Sequence, residues 1–310
     1  MRVLVTGGAG FIGSHVVDHL LSAGKEVVVL DDLSTGFTKN LPLQSIEFVE
    51  GSVCDWPLVK QLVASVDSAI HLAALVSVPK SIEEPRLSSS TNISGTVNVL
   101  DAARLAGLKR VICASSAAVY GQSPASVQRE SDLCAPLSPY GVEKLADEGY
   151  ATAFNACYGM QNLCLRFFNI YGPRQLPNHD YAAVIPKFIA KALRDEELTI
   201  DGDGLQTRDF VYVHDVAAIL TNLATNVKPT EVPVVNLAFG SSLTITELAD
   251  LIIASLSSSS QTTFGPERVG DIRHSRGDST RLNELFPDLC VTSFQEGIAA
   301  TASWLKTALS

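Results

Sequence analysis

Three side chains, by type and spacing, could carry acid/base chemistry: Ser116, Tyr140 and Lys144. Ser116 follows an apolar run, Arg110 to Ala114, which reads as a strand. Tyr140 and Lys144 stand four residues apart in Ser138-Pro139-Tyr140-Gly141-Val142-Glu143-Lys144, so on a helix they share one face. A phenol beside an ammonium is an acid/base pair. A unit charge about 4 Å away, at an effective dielectric of ~20, favours the phenolate by about 4 kcal/mol. No partner histidine is required. His71, at the end of another apolar run, reads as a structural histidine because no carboxylate or nucleophile accompanies it.

Such a pair needs a cofactor, and the first thirty residues describe a place for one. The apolar run Arg2 to Val5 leads into Thr6-Gly7-Gly8-Ala9-Gly10-Phe11-Ile12-Gly13, followed by a helical pattern of Ile12, Val16, Leu20 and Leu21. A second apolar run, Val27 to Leu30, ends in Asp31-Asp32. Strand, glycine-rich turn, helix, strand and acid is the context of a dinucleotide fingerprint. Gly7 makes the tight turn, Gly10 admits a pyrophosphate and Gly13 lets helix pack on strand. Asp31 can accept hydrogen bonds from the adenosine ribose and would repel a 2′-phosphate. No Lys or Arg follows until Lys39, so the expected cofactor is NAD rather than NADP.

Further strands are expected at Ile46–Glu50, before Gly51-Ser52-Val53, at Ser68–Leu72, before Ala73-Ala74, and at Asn162–Phe168. Helices are expected at Thr91–Leu105 and Tyr140–Tyr158. The alternation predicts an α/β fold, a doubly wound parallel sheet with ligands at the C-terminal strand ends. Beyond residue 170 the pattern loosens. Ile185–Leu193 reads as helix, Leu198–Gly204 as strand and turn, Val211–Leu223 as strand and helix, and Leu282–Leu305 as a helical end. The expected domains are 1–170 with a return segment at about 208–236, and a smaller one from 171–207 and 237–310.

The 310 residues suffice for a large core, and 46% hydrophobic with 18% charged residues is a globular composition. A net charge of −10 argues against a general nucleic-acid binder. No apolar run is long enough to span a membrane. The six cysteines form no C-x-x-C pair, no metal site is expected, and reduced thiols in a cytoplasmic protein are the reading.

These residues resemble the extended short-chain dehydrogenase/reductase family, and within it the UDP-hexose 4-epimerases. The resemblance runs through the glycine-rich turn, Asp31, His71-Leu72-Ala73-Ala74, Ser116, Tyr140-x-x-x-Lys144, Arg166-Phe167-Phe168-Asn169, Arg208-Asp209 and Arg268-Val269-Gly270-Asp271. It implies a Rossmann domain with a smaller C-terminal substrate-binding domain and a tightly held NAD. The cofactor set would be Gly7, Gly10, Phe11, Ile12, Gly13, Asp31, Ser52, Val53, Leu72, Ala73, Tyr140 and Lys144. Tyr140 would take the proton of the sugar 4-hydroxyl while C4 is oxidised, the 4-keto sugar would turn over, and reduction would follow from the other side. Ser116 would bind the 4-oxygen and Lys144 the nicotinamide ribose. Asn169 would contact the diphosphate or the sugar, and Val184, Arg208, Arg268 and Asp271 would hold the UDP moiety. Asn92 would hold a helix bulge or a water. The helices Thr91–Leu105 and Tyr140–Tyr158 would form a homodimer surface.

Two alanines, Ala117 and Ala118, follow Ser116 where related dehydratases and decarboxylases carry acids, so the extra acid/base of elimination or decarboxylation is missing. Ser275, four residues after Asp271, falls where a bulky Tyr restricts related enzymes to glucose and galactose. A Ser there implies room for a 2-N-acetyl group, hence UDP-GlcNAc and UDP-GalNAc alongside UDP-Glc and UDP-Gal. Two departures are Gly51-Ser52 for a common Gly-Asp at the adenine, and Val269 for a common Pro. The alternatives are a UDP-uronate 4-epimerase and a non-catalytic NAD-binding module. The presence of Ser116, Tyr140 and Lys144 favours an enzyme.

Overall fold

The apolar runs of the first half become parallel strands, because strands covered on both faces read as continuous hydrophobic stretches. The computed structural model describes residues 1–123, 125–177, 183–226, 232–267 and 272–309. The chain begins β1 (Arg2–Thr6), α1 (Phe11–Ser22), β2 (Glu26–Asp31), β3 (Glu47–Glu50), α2 (Trp56–Val63), β4 (Ser68–His71), α3 (Val78–Glu83) and α4 (Pro85–Ser89). A π-helical turn, Ser90–Ser94, leads into α5 (Gly95–Ala106), β5 (Val111–Ser116), α6 (Pro139–Tyr158) and β6 (Leu163–Phe167). Then come β7 (Asn169–Tyr171), α7 (Val184–Ala192), β8 (Leu198–Asp201), β9 (Thr207–Arg208), β10 (Phe210–Tyr212), α8 (Val213–Thr225) and β11 (Val234–Leu237). The last part holds β12 (Leu243–Thr244), α9 (Ile245–Leu256), β13 (Thr262–Gly265), β14 (His274–Ser275), α10 (Thr280–Leu285) and α11 (Phe294–Leu309).

The contacts divide the chain into two compact units. The first comprises Met1–Gln122, Glu130–Phe167 and Val216–Val235; the second Ser123–Arg129, Phe168–Asp215 and Asn236–Ser310. The return segment is thus shorter than the expected 208–236. Residues 208–215 group with the second unit because β10 pairs with β7 there.

The main sheet has the strand order β11-β6-β5-β4-β1-β2-β3. Leu4, Val28, Ala69, Val111 and Cys164 lie in its core, packed with Val59 and Val63 of α2 and Val99 and Ala103 of α5. The order reverses at β1, with β2 on one side and β4 on the other. The strand ends there, Thr6, Asp31 and His71, border the crevice where doubly wound sheets bind ligands. In the second unit β9 pairs with β12 and β14, and β8 with β13.

One helix expected as continuous is broken: Leu282–Leu305 divides into α10 and α11 around Pro287, which interrupts helical hydrogen bonding. Thr91–Leu105, by contrast, is helical throughout, its first residues in the π-helical turn and the rest in α5. Strand β11 is four residues with Asn236 in its middle, so no unbroken apolar run announces it. Among the described residues no helix is long and apolar enough to cross a membrane, and no cluster of ligating side chains could hold a metal ion.

Candidate active site

β1 delivers the chain into the turn at Gly7, whose φ of +71° is left-handed. The Gly7 N–H donates to Leu30 O at 2.9 Å, and the Gly10 N–H to Gly7 O at 3.2 Å. Gly10 is the N-cap of α1 and has no side chain to cap it, so the first N–H groups of the helix are left without a side-chain acceptor, an end that suits an anion. Whether a dinucleotide fits can be judged by what a Cβ would strike. At Gly7 it would lie 2.7 Å from Ala73 N, and at Gly13 2.1 Å from Gly7 O. At Gly10 it would meet only Gly7 O, at 3.2 Å. Gly7 and Gly13 are therefore required by the protein's own backbone. Gly10 leaves its outer side open, as a close-approaching pyrophosphate needs, and the residues fit NAD.

Asp31 is buried at the end of β2. Its carboxylate accepts from Ala9 N at 2.9 Å and from Leu33 N at 2.9 Å, which ties the acid to the turn. Burial raises its pKa, against the lowering effect of those two N–H groups. Phe11 and Ile12 open α1 and are half-buried. Leu72 N and Ala73 N donate to Thr6 O and Thr6 Oγ1, and their backbone abuts Gly7. Ser52 Oγ accepts from Cys54 N. Val53 is buried in the core against Gly95, and its carbonyl accepts from Asn98 Nδ2.

β5 ends at Ser116, whose Oγ accepts from Ala118 N at 3.1 Å and so caps a single 3₁₀ turn, Ala117–Tyr120. α6 starts with Pro139 at its first turn and Ser138 as N-cap, the Ser138 Oγ accepting from Gly141 N at 3.1 Å. A Cβ on Gly141 would lie 2.8 Å from Ala118 O, so the first turn of α6 rests directly on the Ala117-Ala118 turn. This contact brings Tyr140 next to the segment that holds Ser116. The Tyr140 N–H donates to Ser81 Oγ of α3. Tyr140 and Lys144 are both buried.

Lys144 Nζ lies 3.1 Å from Asp147 Oδ2, with both side chains nearly inaccessible. Burial disfavours the ammonium, but the charges of Asp147 and Tyr140 outweigh it and hold Lys144 above the ordinary lysine range. His71 sits below: Nδ1 meets Thr6 Oγ1 at 2.7 Å and Nε2 meets Thr96 Oγ1 at 3.0 Å. Burial first, and Lys144 second, pull its pKa down to about 3, so the imidazole is neutral. Asn92, in the π-helical turn, accepts from Leu75 N and donates to Leu75 O and to Glu143 Oε2, locking that turn to α6.

In the second unit three expected substrate residues occupy neighbouring strands. Arg208 of β9 lies opposite Ser275 of β14, and Asn169 of β7 lies opposite Phe210 of β10. Asp209 joins them: its N–H donates to Ser275 O and its carbonyl accepts from Asn169 N. Ser275 is largely buried. Val184 opens α7 and is half-buried. Arg268 and Asp271, with Val269 and Gly270 between them, lie outside the described residues.

Residues 3–238 match the sequence model of the NAD dependent epimerase/dehydratase family. The chain belongs to that family. It is 37% identical over 312 residues to the UDP-glucose 4-epimerase of Mycolicibacterium smegmatis, covering 99% of each chain. The UDP-N-acetylglucosamine 4-epimerase of Methanobrevibacter ruminantium M1, solved with UDP-N-acetylmuramic acid, superposes with a TM-score of 0.93 at 37% identity, covering 99% of this chain and 98% of that one. The UDP-glucose 4-epimerase of Thermotoga maritima, solved with UDP-glucose, superposes with a TM-score of 0.93 at 36% identity over 100% of both chains.

Sequence reasoning missed the acids that α6 brings into this epimerase-family site. Glu143, Asp147 and Glu148 are all buried. Glu143 accepts from Asn92 and Ser88, while Glu148 binds Arg166 through both oxygens and accepts from Ser115 Oγ. The available signal was spacing: Asp147 follows Lys144 by three residues, and the polar residues Glu143, Lys144, Asp147 and Glu148 mark one face of the helix. Such a face usually meets solvent; here it meets the sheet.

Asp209 gives this chain a measurable pH dependence. Its fully buried carboxylate accepts from Phe239 N, Gly240 N and Gly277 N. Burial, opposed by those N–H groups and by Arg276, raises its pKa from 3.8 to about 6. A folded pKa above the unfolded one favours the fold below pH 3.8, and the contribution is lost as pH rises through about 6. The two-unit shift corresponds to about 3 kcal/mol. In urea unfolding, the stability of the wild type minus that of Asp209→Asn should fall by up to about 3 kcal/mol between about pH 4 and pH 7. A difference that stays flat across that range contradicts the assignment.

Proposed function

We infer that this chain catalyses NAD-dependent C4 epimerisation of a UDP-hexose, UDP-GlcNAc/UDP-GalNAc and UDP-Glc/UDP-Gal, through a transient 4-keto sugar. The observation that carries the reading is the seating of the Tyr140 turn of α6 on Ala117-Ala118, beside Ser116 and within the unit that bears the dinucleotide turn. NAD, when bound, supplies reversible two-electron oxidation of the sugar C4. Tyr140 accepts the proton of the 4-hydroxyl and returns it in the reverse step. Ser116 hydrogen-bonds the 4-oxygen, and Lys144 binds the nicotinamide ribose while its charge favours the phenolate. Gly7 and Gly13 shape the turn, Gly10 admits the pyrophosphate and Asp31 accepts from the adenosine ribose. Asn169, Arg208 and Ser275, with Val184, Arg268 and Asp271, contribute the contacts to the UDP-sugar. With alanine at 117 and 118 that turn offers no acid for elimination or decarboxylation.

The test is incubation of the purified protein, without added NAD, with UDP-Glc, UDP-GlcNAc and UDP-GlcA in turn, and identification of the products. C4 epimers of the first two support the reading. A pentose product from UDP-GlcA, or no product from any of the three, overturns it.

The sugar range rests on Ser275. Ser275→Tyr should abolish turnover of UDP-GlcNAc while UDP-Glc turnover stays within about tenfold, a difference of about 1.4 kcal/mol. Unchanged N-acetyl turnover removes Ser275 from the specificity argument.

A homodimer in a cytoplasmic compartment completes the proposal. The outward side of α6 is apolar where its inward side is charged: Val142, Tyr150 and Tyr158 are exposed, as is Leu105 of α5. Exposed apolar side chains gathered on neighbouring helices suit a second copy. All six cysteines are free thiols, which suits a reducing compartment.

A further inference from the structure

Asp147 is a buried carboxylate for which packing gives no reason. Its Oδ2 meets Lys144 Nζ at 3.1 Å. Its Oδ1 is buried with no partner at good hydrogen-bond geometry, the nearby Thr96 hydroxyl interacting with the carboxyl but giving its proton to Asn92 O. A buried ion pair is often no more stable than apolar residues of the same volume, and an unsatisfied oxygen adds to its cost. The other charged or titratable groups facing this place have settled partners or are neutral. On β4, His71 is neutral between Thr6 and Thr96. On β5 and β6, Cys113 and Cys164 are buried thiols opposite each other. On α5, Thr96 gives its hydroxyl proton to Asn92 O at 2.6 Å. On α6 itself Glu143 is held by Asn92 and Ser88, and Glu148 by Ser115 and by Arg166 of β6. Asp147 is thus the acid committed to the lysine that stands one helical turn from Tyr140.

We propose that Asp147 is a positioning residue for Lys144: its carboxylate holds one N–H of the ammonium, offsets part of its charge, and thereby sets the pH at which Tyr140 works as a base. An unopposed Lys144 would stabilise the phenolate more strongly. With Asp147 beside it, the phenolate forms at higher pH, and the remaining ammonium protons keep a fixed direction. This rests on the assignment of Tyr140 and Lys144 as the acid/base pair.

The test reads the phenolate itself. Ultraviolet difference absorbance of tyrosinate is titrated in the NAD-bound protein, with the Tyr140→Phe spectrum subtracted. Asp147→Asn should lower the midpoint by about one pH unit, and the acid limb of epimerisation should move with it. A midpoint that stays or rises overturns the proposal and makes Asp147 a structural partner only. Where the Asn variant does not fold, Lys144→Met/Asp147→Leu removes both charges together. Because Asp147 offsets only part of the lysine charge, the midpoint of this double variant should rise above wild type but by less than in Lys144→Met alone, and equal rises in the two variants overturn the proposal. A shifted midpoint in a protein that epimerises no UDP-hexose would remove the proposed function and leave Asp147's role standing. Epimerisation with an unmoved midpoint would do the reverse.

Discussion

Tyr140→Phe is expected to lower epimerase turnover by about 10²–10⁴-fold, the usual contribution of a positioned acid/base group. The substitution removes one oxygen and keeps the ring. The backbone that positions residue 140 is untouched: Pro139 and the Ser138 cap start α6, Ser81 accepts the Tyr140 N–H, and Gly141 rests on Ala118 O. Fold and cofactor content should therefore be unchanged, which circular dichroism and the NAD released on denaturation would establish. The deficit should appear in kcat with little change in KM, because the proton is transferred only in the transition state. A variant that retains more than about a tenth of wild-type turnover would remove Tyr140 from the acid/base role.

The second large effect separates two glycines of one turn. Gly13→Ala forces a methyl to within 2.1 Å of Gly7 O and 2.7 Å of Gly8 Cα, both backbone atoms. Neither can move as a flexible side chain would, so α1 must lift off the end of β1. The expected cost is about 3 kcal/mol or more, at the upper end for overpacking, together with loss of bound NAD. Gly10→Ala meets only Gly7 O, at 3.2 Å. Its effect on the fold is that of placing alanine at an N-cap, about 1 kcal/mol. Its effect on the cofactor should be larger, because the methyl occupies the side left open for the pyrophosphate. NAD affinity is expected to fall at least about tenfold, or about 1.4 kcal/mol. Thermal unfolding with and without NAD distinguishes the two: Gly13→Ala lowers both transitions, whereas Gly10→Ala chiefly loses the stabilisation that NAD confers. Equal behaviour of the two variants would contradict the division of labour.

Some of this architecture could be read from local pattern. β1, β2, β4, β5 and β6 are apolar runs, since both faces of the sheet are covered and little alternation is demanded of them. The glycine turn and Asp31 were legible because their φ angle, close approach and charge are local requirements that few residue types meet. Strand β11 was not legible: it is short and interrupted by Asn236, a fully buried residue whose side chain donates to Gln128 O and Asp278 O. The break between α10 and α11 was also missed, because helical periodicity runs through a gap when apolar residues happen to fall in phase.

The candidate site divides along the same line. The sequence by itself determined the types and order of the groups: a glycine-rich turn, an acid closing the second strand, a strand-end serine and a Tyr–Lys pair four residues apart. Those are statements about spacing along one element, and the chain carries them whatever it packs against. Only the tertiary structure decided which side of α6 turns inward. Its period is the same in either orientation, and its exposed Val142, Tyr150 and Tyr158 would by themselves have suggested the opposite one. The partners that settle it lie far away in the chain: Asn92 and Ser88 for Glu143, Ser115 and Arg166 for Glu148. With those bonds made, Lys144 is left to Asp147, because a buried charge must take its counter-charge from what the fold has placed within reach.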